Sequence, residues 1–257
     1  MPQPYDLYTS DPTHLVQLYN DESQLIRNVG TFLREGLRAD GGLLVVAEPH
    51  HVDAFMRQLK ITGADPEELK ASGRLVTLDA AQTLAQICTG RHPDAHLFQD
   101  VVGSLVHTLS ERHQRSLRIY GEMVALLWEQ SRYAAAIRLE HFWNSLLRSV
   151  PAKLFCAYKI DVLADEFGSV GAHAALCAHD RVLPFDPDGR LDAAMSLAMD
   201  DVLGPSAENV KEQMQSSRPK DLAHVPTTES AILWLHRNVP EYARPILART
   251  RVHYGEV

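Results

Sequence analysis

Short apolar runs alternate with longer amphipathic segments over the first 185 residues, and this alternation constrains the fold more than any other feature. Short apolar runs between turn residues are typical of buried strands, whereas apolar residues at helical spacing indicate helices that pack on one face. A strict alternation of the two predicts a mostly parallel sheet covered by helices on both sides. The predicted fold class is therefore α/β, with three αβα layers. The predicted strands are 15–19, 43–47, 75–78, 117–120, 153–158 and 182–183.

The alternation ends near residues 184–189, which are rich in Pro, Asp and Gly and typical of a turn. We therefore predict two domains, one over residues 12–185 and a helical C-terminal extension over residues 186–257. The extension is expected to serve dimerisation or partner docking. Proline lacks a backbone N–H and is expected to interrupt a helix. The predicted helices of the extension are 191–203, 207–215 and a segment from Thr228 onward that Pro240 and Pro245 interrupt.

Charge and composition disfavour several classes of protein. Lys and Arg number 25 against 33 Asp and Glu, a formal net charge of −8, which favours solubility and disfavours a nucleic-acid-binding surface. The apolar runs are far shorter than the ~20 residues that a membrane-spanning helix needs. Residues 1–12 lack the basic start and the apolar core of a secretory signal. We therefore expect a cytoplasmic protein whose partners include neither a membrane nor a nucleic acid.

Acidic and aromatic side chains follow the predicted strands at their carboxyl ends. In an open parallel sheet, ligands bind just outside these ends. We therefore predict a ligand-binding rim there. Its predicted members are Tyr19, Glu48, Glu122, Met123 and Tyr158.

Glu122 is the residue of this rim that we single out for function. It follows Gly121, which is expected to let the backbone turn sharply and to bring Glu122 to the edge of the sheet. A carboxylate in that position can accept hydrogen bonds from a ligand or hold a water molecule. The alternative interpretation, that Glu122 is only an acidic residue at a helix N-terminus, stays open.

The segment after the first predicted strand carries no phosphate-binding loop. A nucleotide-binding protein with this arrangement has the pattern GxxxxGK[ST] there, in which backbone amides and a lysine hold the phosphates. Residues 20–24 instead read Asn-Asp-Glu-Ser-Gln. Asp21 and Glu22 would repel a phosphate, and we interpret them as first-turn acids that complement the helix dipole.

A second polar group lies in a predicted helix. Glu140 and Asn144 are four residues apart and so share one helical face, with Trp143 beside them. Polar and aromatic groups that converge in this way suit a small-molecule pocket. A pair on the helix surface with no ligand is the alternative interpretation, and both stay open.

We predict no catalytic residues, no metal site and no cofactor. His92 and His96 are four residues apart, but a helix start lies between them and a third metal ligand is missing. Ser104 lacks the second glycine of a nucleophile elbow. Cys156 lies in a buried strand, without a charged neighbour that would make it a thiolate. The chain is therefore not expected to be an enzyme.

Several stretches of the sequence are distinctive enough to carry a family resemblance. They are 14–19 (His-Leu-Val-Gln-Leu-Tyr), 32–37 (Phe-Leu-Arg-Glu-Gly-Leu), 72–75 (Ser-Gly-Arg-Leu), 121–128 (Gly-Glu-Met-Val-Ala-Leu-Leu-Trp), 139–140 (Leu-Glu) with 143–144 (Trp-Asn), and 156–158 (Cys-Ala-Tyr). Over roughly residues 12–185 they resemble the MEDS family, the methanogen/methylotroph, DcmR-type sensory domain. The resemblance implies a degenerate RecA- or KaiC-like fold and a sensory role in prokaryotic signalling. The sensed molecules that the resemblance implies are small hydrocarbon derivatives.

The sequence departs from the family pattern at two places on the rim. Glu48 stands where members often have Thr in Ala-Thr-Pro, and Lys159 follows Tyr158 where members often have Pro. Both changes are expected to alter what is bound. The complete set of predicted ligand-binding residues is His14, Tyr19, Glu48, Glu122, Met123, Glu140, Asn144 and Tyr158.

The leading hypothesis is a non-catalytic small-molecule sensor or adaptor in prokaryotic signal transduction and transcription regulation. Similar domains usually precede a histidine kinase or a helix-turn-helix segment, and residues 186–257 show neither pattern. The expected partners are therefore a small organic ligand, a second copy of the chain in a homodimer, and a histidine kinase or a transcriptional regulator. Two alternatives stay open, namely an NTPase-like enzyme with a degenerate phosphate loop and a ligand-independent scaffold that binds a regulator.

Overall fold

The computed structural model describes residues 13–113, 117–217 and 220–256. Residues 1–12, in which we predict no secretory signal, lie outside the described residues. Within the described ranges, no helix has both the length and the apolar character needed to cross a bilayer.

The described chain forms two units, which we call the sheet unit and the helical unit. The sheet unit comprises residues 13–159 together with 178–180. The helical unit comprises residues 160–177 and the chain from residue 181 onward. The predicted domain boundary between residues 185 and 186 stays a prediction.

A parallel sheet forms the centre of the sheet unit. Five strands lie in the order β3-β2-β6-β7-β1, and each neighbouring pair is parallel. The strands predicted for this unit are confirmed to within one residue at either end. The antiparallel hairpin β4–β5 is not among the predictions, because two-residue strands show no periodicity. The strands are β1 (His14–Leu18), β2 (Leu43–Ala47), β3 (Leu75–Asp79), β4 (Cys88–Thr89), β5 (His92–Pro93), β6 (Leu117–Gly121) and β7 (Ala152–Tyr158).

Helices connect the strands, and several of them begin at a capping aspartate. Asp21, Asp65, Asp79 and Asp94 each accept a hydrogen bond from a backbone N–H two or three residues further on. The helices are α1 (Glu22–Arg38), α2 (Pro49–Ile61), α3 (Pro66–Ala71), α4 (Ala80–Gln86), α5 (Ala95–Phe98), α6 (Ser104–His113) after the π-helical turn Gln99–Gly103, α7 (Met123–Glu129) and α8 (Tyr133–Leu147).

Helices cover both faces of the parallel sheet. On one face, the Tyr120 ring of β6 lies 4.9 Å from the Phe55 ring of α2, and the Phe155 ring of β7 lies 5.4 Å from the Phe32 ring of α1. Alternate residues of a strand point to opposite faces. On the other face, Gly121 of β6 lies against Trp143 of α8. The predicted three-layer αβα fold is therefore confirmed.

Gly121 is the last residue of β6 and lies against Trp143 of α8. Its φ lies outside the left-handed region, and the chain passes from β6 into α7 within one residue, at Glu122, without a conformation that requires glycine. A Cβ atom here would lie 3.4 Å from Leu154 and 3.7 Å from the ring of Trp143. These are ordinary van der Waals distances, so the packing of the indole against the strand does not require a glycine here.

The helical unit contains the predicted C-terminal helices. Within the described part of residues 186–256, all regular elements are helical, as predicted. Helices α10 and α13 pack against each other, and Arg249 of α13 donates a hydrogen bond of 2.6 Å to Asp201 of α10. The elements are α9 (Val170–Cys177), β8 (Arg181–Leu183), α10 (Arg190–Leu203), α11 (Ala207–Ser216), α12 (Thr227–Asn238) and α13 (Pro240–Glu256).

One predicted helix interruption is wrong. Pro240 begins α13 at its first residue, where a missing N–H has no cost because that N–H has no partner within the helix. Pro245, in contrast, lies inside α13, which continues to Glu256. A single interior proline removes one backbone hydrogen bond. Ile246 and Leu247, both buried next to it, stabilise this segment by packing.

Replacing Glu229 with glutamine is expected to stabilise the helical unit by about 1 kcal/mol at pH 7–8, a usual size for one site. Glu229 is buried, and one carboxylate oxygen accepts a 2.6 Å hydrogen bond from the Phe185 N–H. Burial raises the pKa of Glu229. A raised pKa in the folded state means that stability falls as pH rises above the unfolded-state value. Glutamine keeps the acceptor and removes the charge.

Denaturant unfolding of the Glu229→Gln protein and the wild type between pH 4 and 8 checks this expectation. The difference in unfolding free energy should shrink toward pH 4, where the wild-type carboxyl is protonated. Glu208→Gln is the control, because Glu208 is exposed. A Glu229→Gln protein that is less stable than wild type throughout would contradict the expectation.

Candidate functional site

Four side chains with metal-ligating atoms meet inside the sheet unit. They are His14, Glu140, Cys156 and His179, which we call the buried centre. One ligand atom from each lies within 4.8 Å of those from the other three. Each of the four residues is at most 4% exposed. The group is thus a closed site within the core rather than a surface cluster.

The pairing of two parallel strands with one helix places these residues. In the β1–β7 pairing, His14 lies opposite Leu154 and Val16 lies opposite Cys156. Because side chains alternate between faces, His14 and Cys156 point to the same side of the sheet. Glu140 on α8 reaches both of them from that side. His179, in the short segment 178–180, completes the group.

The distances within the buried centre are long for N–H···O hydrogen bonds, ordinary for contacts with sulfur, and compatible with a bound metal ion. His14 Nε2 lies 3.4 Å from both Glu140 Oε2 and Cys156 Sγ, and His179 Nε2 lies 3.3 Å from Glu140 Oε1. Cys156 Sγ and Glu140 Oε2 are 3.7 Å apart. Good N–H···O hydrogen bonds are roughly 2.7–3.2 Å long. Ligands bonded to Zn²⁺ at about 2.0–2.3 Å in a tetrahedron are roughly 3.3–3.7 Å apart.

Neighbouring residues fix the orientation of these ligands. Asn144 Nδ2 donates to the Ala178 carbonyl over 2.7 Å, so its Oδ1 accepts from His14 Nδ1 over 2.9 Å. His14 Nε2 therefore points into the buried centre, toward Glu140 and Cys156. The Tyr158 hydroxyl donates to Glu140 Oε1 over 2.5 Å. Outer hydrogen bonds of this kind orient the ligands in metal sites.

The two histidines of the buried centre stabilise the ionised form of Glu140. Burial opposes ionisation of Glu140, but the charges of His179 and His14 and their hydrogen bonds lower its pKa below the usual value. Burial and the nearby Glu140 raise the pKa of the Cys156 thiol. The carboxylate, the thiol and the two imidazoles therefore form one coupled group of buried titratable side chains. A divalent metal ion bound to the same atoms would supply positive charge beside the carboxylate in place of the histidine protons.

A second polar group lies at the carboxyl end of the sheet, on the face covered by α2. It consists of Glu22, His50, His51 and Glu122, which we call the edge cluster. Glu122 accepts a 2.7 Å hydrogen bond from the Glu48 N–H and a second one from His51 Nδ1. Glu122 has no side-chain hydrogen bond to the start of α7, so its carboxylate does not cap that helix.

The carboxylates around the edge cluster influence two neighbouring groups. Burial lowers the pKa of His51, whereas the hydrogen bond and the charge of Glu122 raise it. The net shift of this pKa is upward. Burial, with the charges of Glu122 and Glu129, raises the pKa of Tyr19. This end of the sheet is therefore electronegative and suits a cation rather than a phosphate.

Comparison with known proteins identifies the family. The chain matches the family described as MEDS, methanogen/methylotroph, DcmR sensory domain, over residues 13–180. This chain belongs to the MEDS family. The match covers all five strands of the parallel sheet, both polar groups and the segment that carries His179. No curated protein and no solved structure matches the chain. MEDS is a sensory domain, so the predicted sensory character is confirmed at that level.

The predicted ligand-binding residues of this MEDS domain fall into two places. His14, Glu140, Asn144 and Tyr158 lie in or around the buried centre. Glu122 belongs to the edge cluster, Glu48 contributes its backbone N–H there, and Tyr19 lies nearby. Met123 is fully buried in the first turn of α7. Ligand binding by any of the eight stays a prediction.

Sequence reasoning does not predict five residues of the two groups, namely Cys156, His179, His51, His50 and Glu22. Cys156 was expected to have no charged neighbour, but Glu140 on α8 lies 3.7 Å from its sulfur, a neighbour that strand composition does not reveal. His179 lies in a short loop, where no periodicity marks it. His51 is buried against Glu122, although the sequence indicates only a helix start. The one available signal was a histidine, His14, at the start of a mostly apolar strand.

A third group, in the helical unit of this MEDS chain, does not form a catalytic triad. His173 Nε2 lies 3.6 Å from Cys177 Sγ and 3.3 Å from Asp221 Oδ2. A relay needs the two ring nitrogens to serve different partners, whereas here one nitrogen faces both. Burial raises the pKa of Cys177, which disfavours the thiolate.

Proposed function

We propose that this MEDS chain is a non-catalytic sensor or adaptor in prokaryotic signal transduction, and that the buried centre is its receptor, where it binds a divalent transition-metal ion. The observation that carries the proposal is the convergence of four buried residues, each with a ligand atom within 4.8 Å of those of the other three and with contacts of 3.3–3.7 Å among them. Asn144 and Tyr158 support it, because they fix the ligands as in the outer shell of a metal site.

The ligand set indicates which ion would bind. Two imidazoles, one thiolate and one carboxylate suit Zn²⁺ and its substitute Co²⁺, which favour four ligands in a tetrahedron. A divalent ion balances the charges of Glu140 and a deprotonated Cys156. Metal coordination deprotonates a thiol even where burial raises its pKa.

Two features support a binding role without turnover. A tetrahedral site with four protein ligands leaves no position for a substrate, whereas catalytic zinc sites keep one open. The segment after β1 also disfavours nucleotide chemistry. Asp21 caps α1 and Glu22 is the first residue of that helix, whereas a phosphate loop would need free backbone N–H groups there.

The position of His179 suggests how metal binding at the buried centre is transmitted as a signal. His179 lies between α9 and β8, where the chain passes through residues 178–180. Asp180 holds this segment to the start of β1 by accepting from the Thr13 and His14 N–H groups, each over 3.0 Å. A metal bound by His14 and His179 would tighten the same connection. The proposed output partners are a second copy of the chain and a histidine kinase or transcriptional regulator in the cytoplasm.

Co²⁺ titration monitored by absorbance tests the proposed receptor. Wild type is expected to bind Co²⁺ with a near-ultraviolet band from thiolate-to-metal charge transfer, because Cys156 is a ligand. Cys156→Ser should abolish the band and weaken binding by at least about 100-fold, more than the loss of an outer-shell residue. Cys177→Ser is the matched control, because that thiol is exposed in the helical unit. A band that persists in Cys156→Ser would sink the proposed site.

Hydrogen exchange tests the proposed sensory connection. Zn²⁺ is expected to slow amide exchange in residues 178–180 of wild type and not of Cys156→Ser. Unchanged exchange despite tight binding would favour a purely structural ion and the scaffold alternative. Mg²⁺-dependent ATP binding by calorimetry would instead favour the NTPase-like alternative.

A further inference from the structure

The edge cluster contains a histidine prepared for a second cation. His51 donates its Nδ1–H to Glu122, whose other oxygen accepts from the Glu48 N–H over 2.7 Å. The His51 side chain is 4% exposed, and its Nε2 atom has no hydrogen-bond partner among the described residues. A buried ring nitrogen without a hydrogen-bond partner is costly unless a ligand satisfies it.

Two further ligand atoms converge on this histidine. A ring nitrogen of His50 and a carboxylate oxygen of Glu22 lie within 4.8 Å of a ring nitrogen of His51 and of each other. Both residues are exposed, so this side of the cluster is open to solvent. Glu22 also faces Lys159, but the 3.8 Å separation and the exposure of both side chains make that ion pair weak.

The His51–Glu122 hydrogen bond distinguishes this group from an accidental histidine pair. Metal-ligating histidines usually donate their second ring N–H to a carboxylate or carbonyl, which fixes the ring and raises its basicity. Glu122 provides this contact from inside the protein and is itself held by a backbone N–H. The negative charges of Glu22, Glu48 and Glu122 all act on His51 and favour a cation there.

We propose that Glu22, His50 and His51 form a second divalent-metal site, oriented by Glu122 and distinct from the buried centre. The two sites lie on opposite faces of the sheet, because Glu122 is reached from α2 whereas Glu140 belongs to α8. Three protein ligands leave at least one coordination position open to a small molecule that carries a lone pair. This site therefore suits reversible recognition of such a molecule, which the closed buried centre does not.

Metal counting and Co²⁺ spectra on the full chain at pH 8 test this site separately from the buried centre. The edge cluster contains no thiol, so Co²⁺ bound there should give only weak visible bands, without the charge-transfer band of Cys156. Wild type should bind one equivalent of Co²⁺ that gives only these weak visible bands, which we call the thiolate-free equivalent. The double variant Glu22→Gln/His50→Ala should lose that equivalent and keep the charge-transfer band. The matched control is Glu111→Gln/His96→Ala, which changes an exposed glutamate and an exposed histidine elsewhere in the sheet unit.

Glu122→Gln provides a second measurement, because it preserves size while weakening the support of His51. We expect about 10- to 100-fold weaker binding of the thiolate-free equivalent, the usual cost of losing an outer-shell carboxylate. The proposal would be overturned if wild type bound no thiolate-free equivalent of Co²⁺. It would also be overturned if wild type and the Glu22→Gln/His50→Ala protein bound that equivalent equally well. If wild type binds the thiolate-free equivalent of Co²⁺ but shows no charge-transfer band, the result counts against the buried centre and supports the edge site.

Discussion

Replacing Glu140 with alanine is expected to destabilise the metal-free sheet unit by about 3–5 kcal/mol, the cost of removing one partner from a buried charged pair. The carboxylate is fully buried, and His14, His179, Cys156 and Tyr158 all lie within 2.5–3.7 Å of it. Alanine would leave the Tyr158 hydroxyl without its acceptor and the two histidines without a counter-charge. Urea unfolding in the presence of a chelator measures the difference.

Two further variants separate the charge of Glu140 from its shape. Glu140→Gln keeps an acceptor for Tyr158 and should cost less than alanine, because only the charge is lost. Glu111→Ala removes an exposed glutamate and should change stability by less than about 0.5 kcal/mol. A Glu140→Ala protein within 1 kcal/mol of wild type would show that the carboxylate does not hold the buried centre together.

The sheet was predictable because its signals are local. Each of β1, β2, β6 and β7 is an apolar run that is buried throughout or nearly so, and each reads as a strand without knowledge of its neighbours. The same holds for the face shared by Glu140 and Asn144, which follows from helical spacing alone. Local periodicity thus gives both the layers of the fold and the polar face of α8.

The two polar groups were only partly predictable because they depend on pairings between distant segments. His14 meets Cys156 only because β1 lies beside β7 in a register that sets Val16 opposite Cys156. Glu122 meets His51 only because β2 lies beside β6, a strand order that the sequence does not specify. The interior proline of α13 is a similar case, since packing of Ile246 and Leu247 overrides a local rule.

The division of the predicted residues between two faces of one sheet has a functional consequence. The buried centre is closed and ties residues 178–180 to β1 and α8, which suits an ion that controls stability. The edge cluster is open on one side, which suits exchange with solvent. A MEDS domain with these two sites would bind two kinds of ligand. A mutation at one site would abolish binding there without abolishing binding at the other site.

Zn²⁺ is expected to raise the stability of wild type by about 4 kcal/mol when its free concentration is 1,000 times the dissociation constant. For a protein of this size, that increase corresponds to a rise in Tm of roughly 8–16 °C. The physical reason is that the four ligands come together only in the folded chain, so binding free energy adds to folding free energy. Differential scanning fluorimetry with Zn²⁺, and again with excess chelator, measures the shift.

A graded set of variants assigns this stabilisation to the buried centre. Cys156→Ser removes a ligand and should abolish most of the shift, whereas Asn144→Ala removes only the acceptor that orients His14. The outer-shell change should weaken zinc binding about 10- to 100-fold and so reduce the stabilisation by roughly 1.4–2.7 kcal/mol. Cys177→Ser should leave the shift intact. If the full shift survives in Cys156→Ser and disappears in Glu22→Gln/His50→Ala, then the edge cluster, and not the buried centre, couples metal binding to folding.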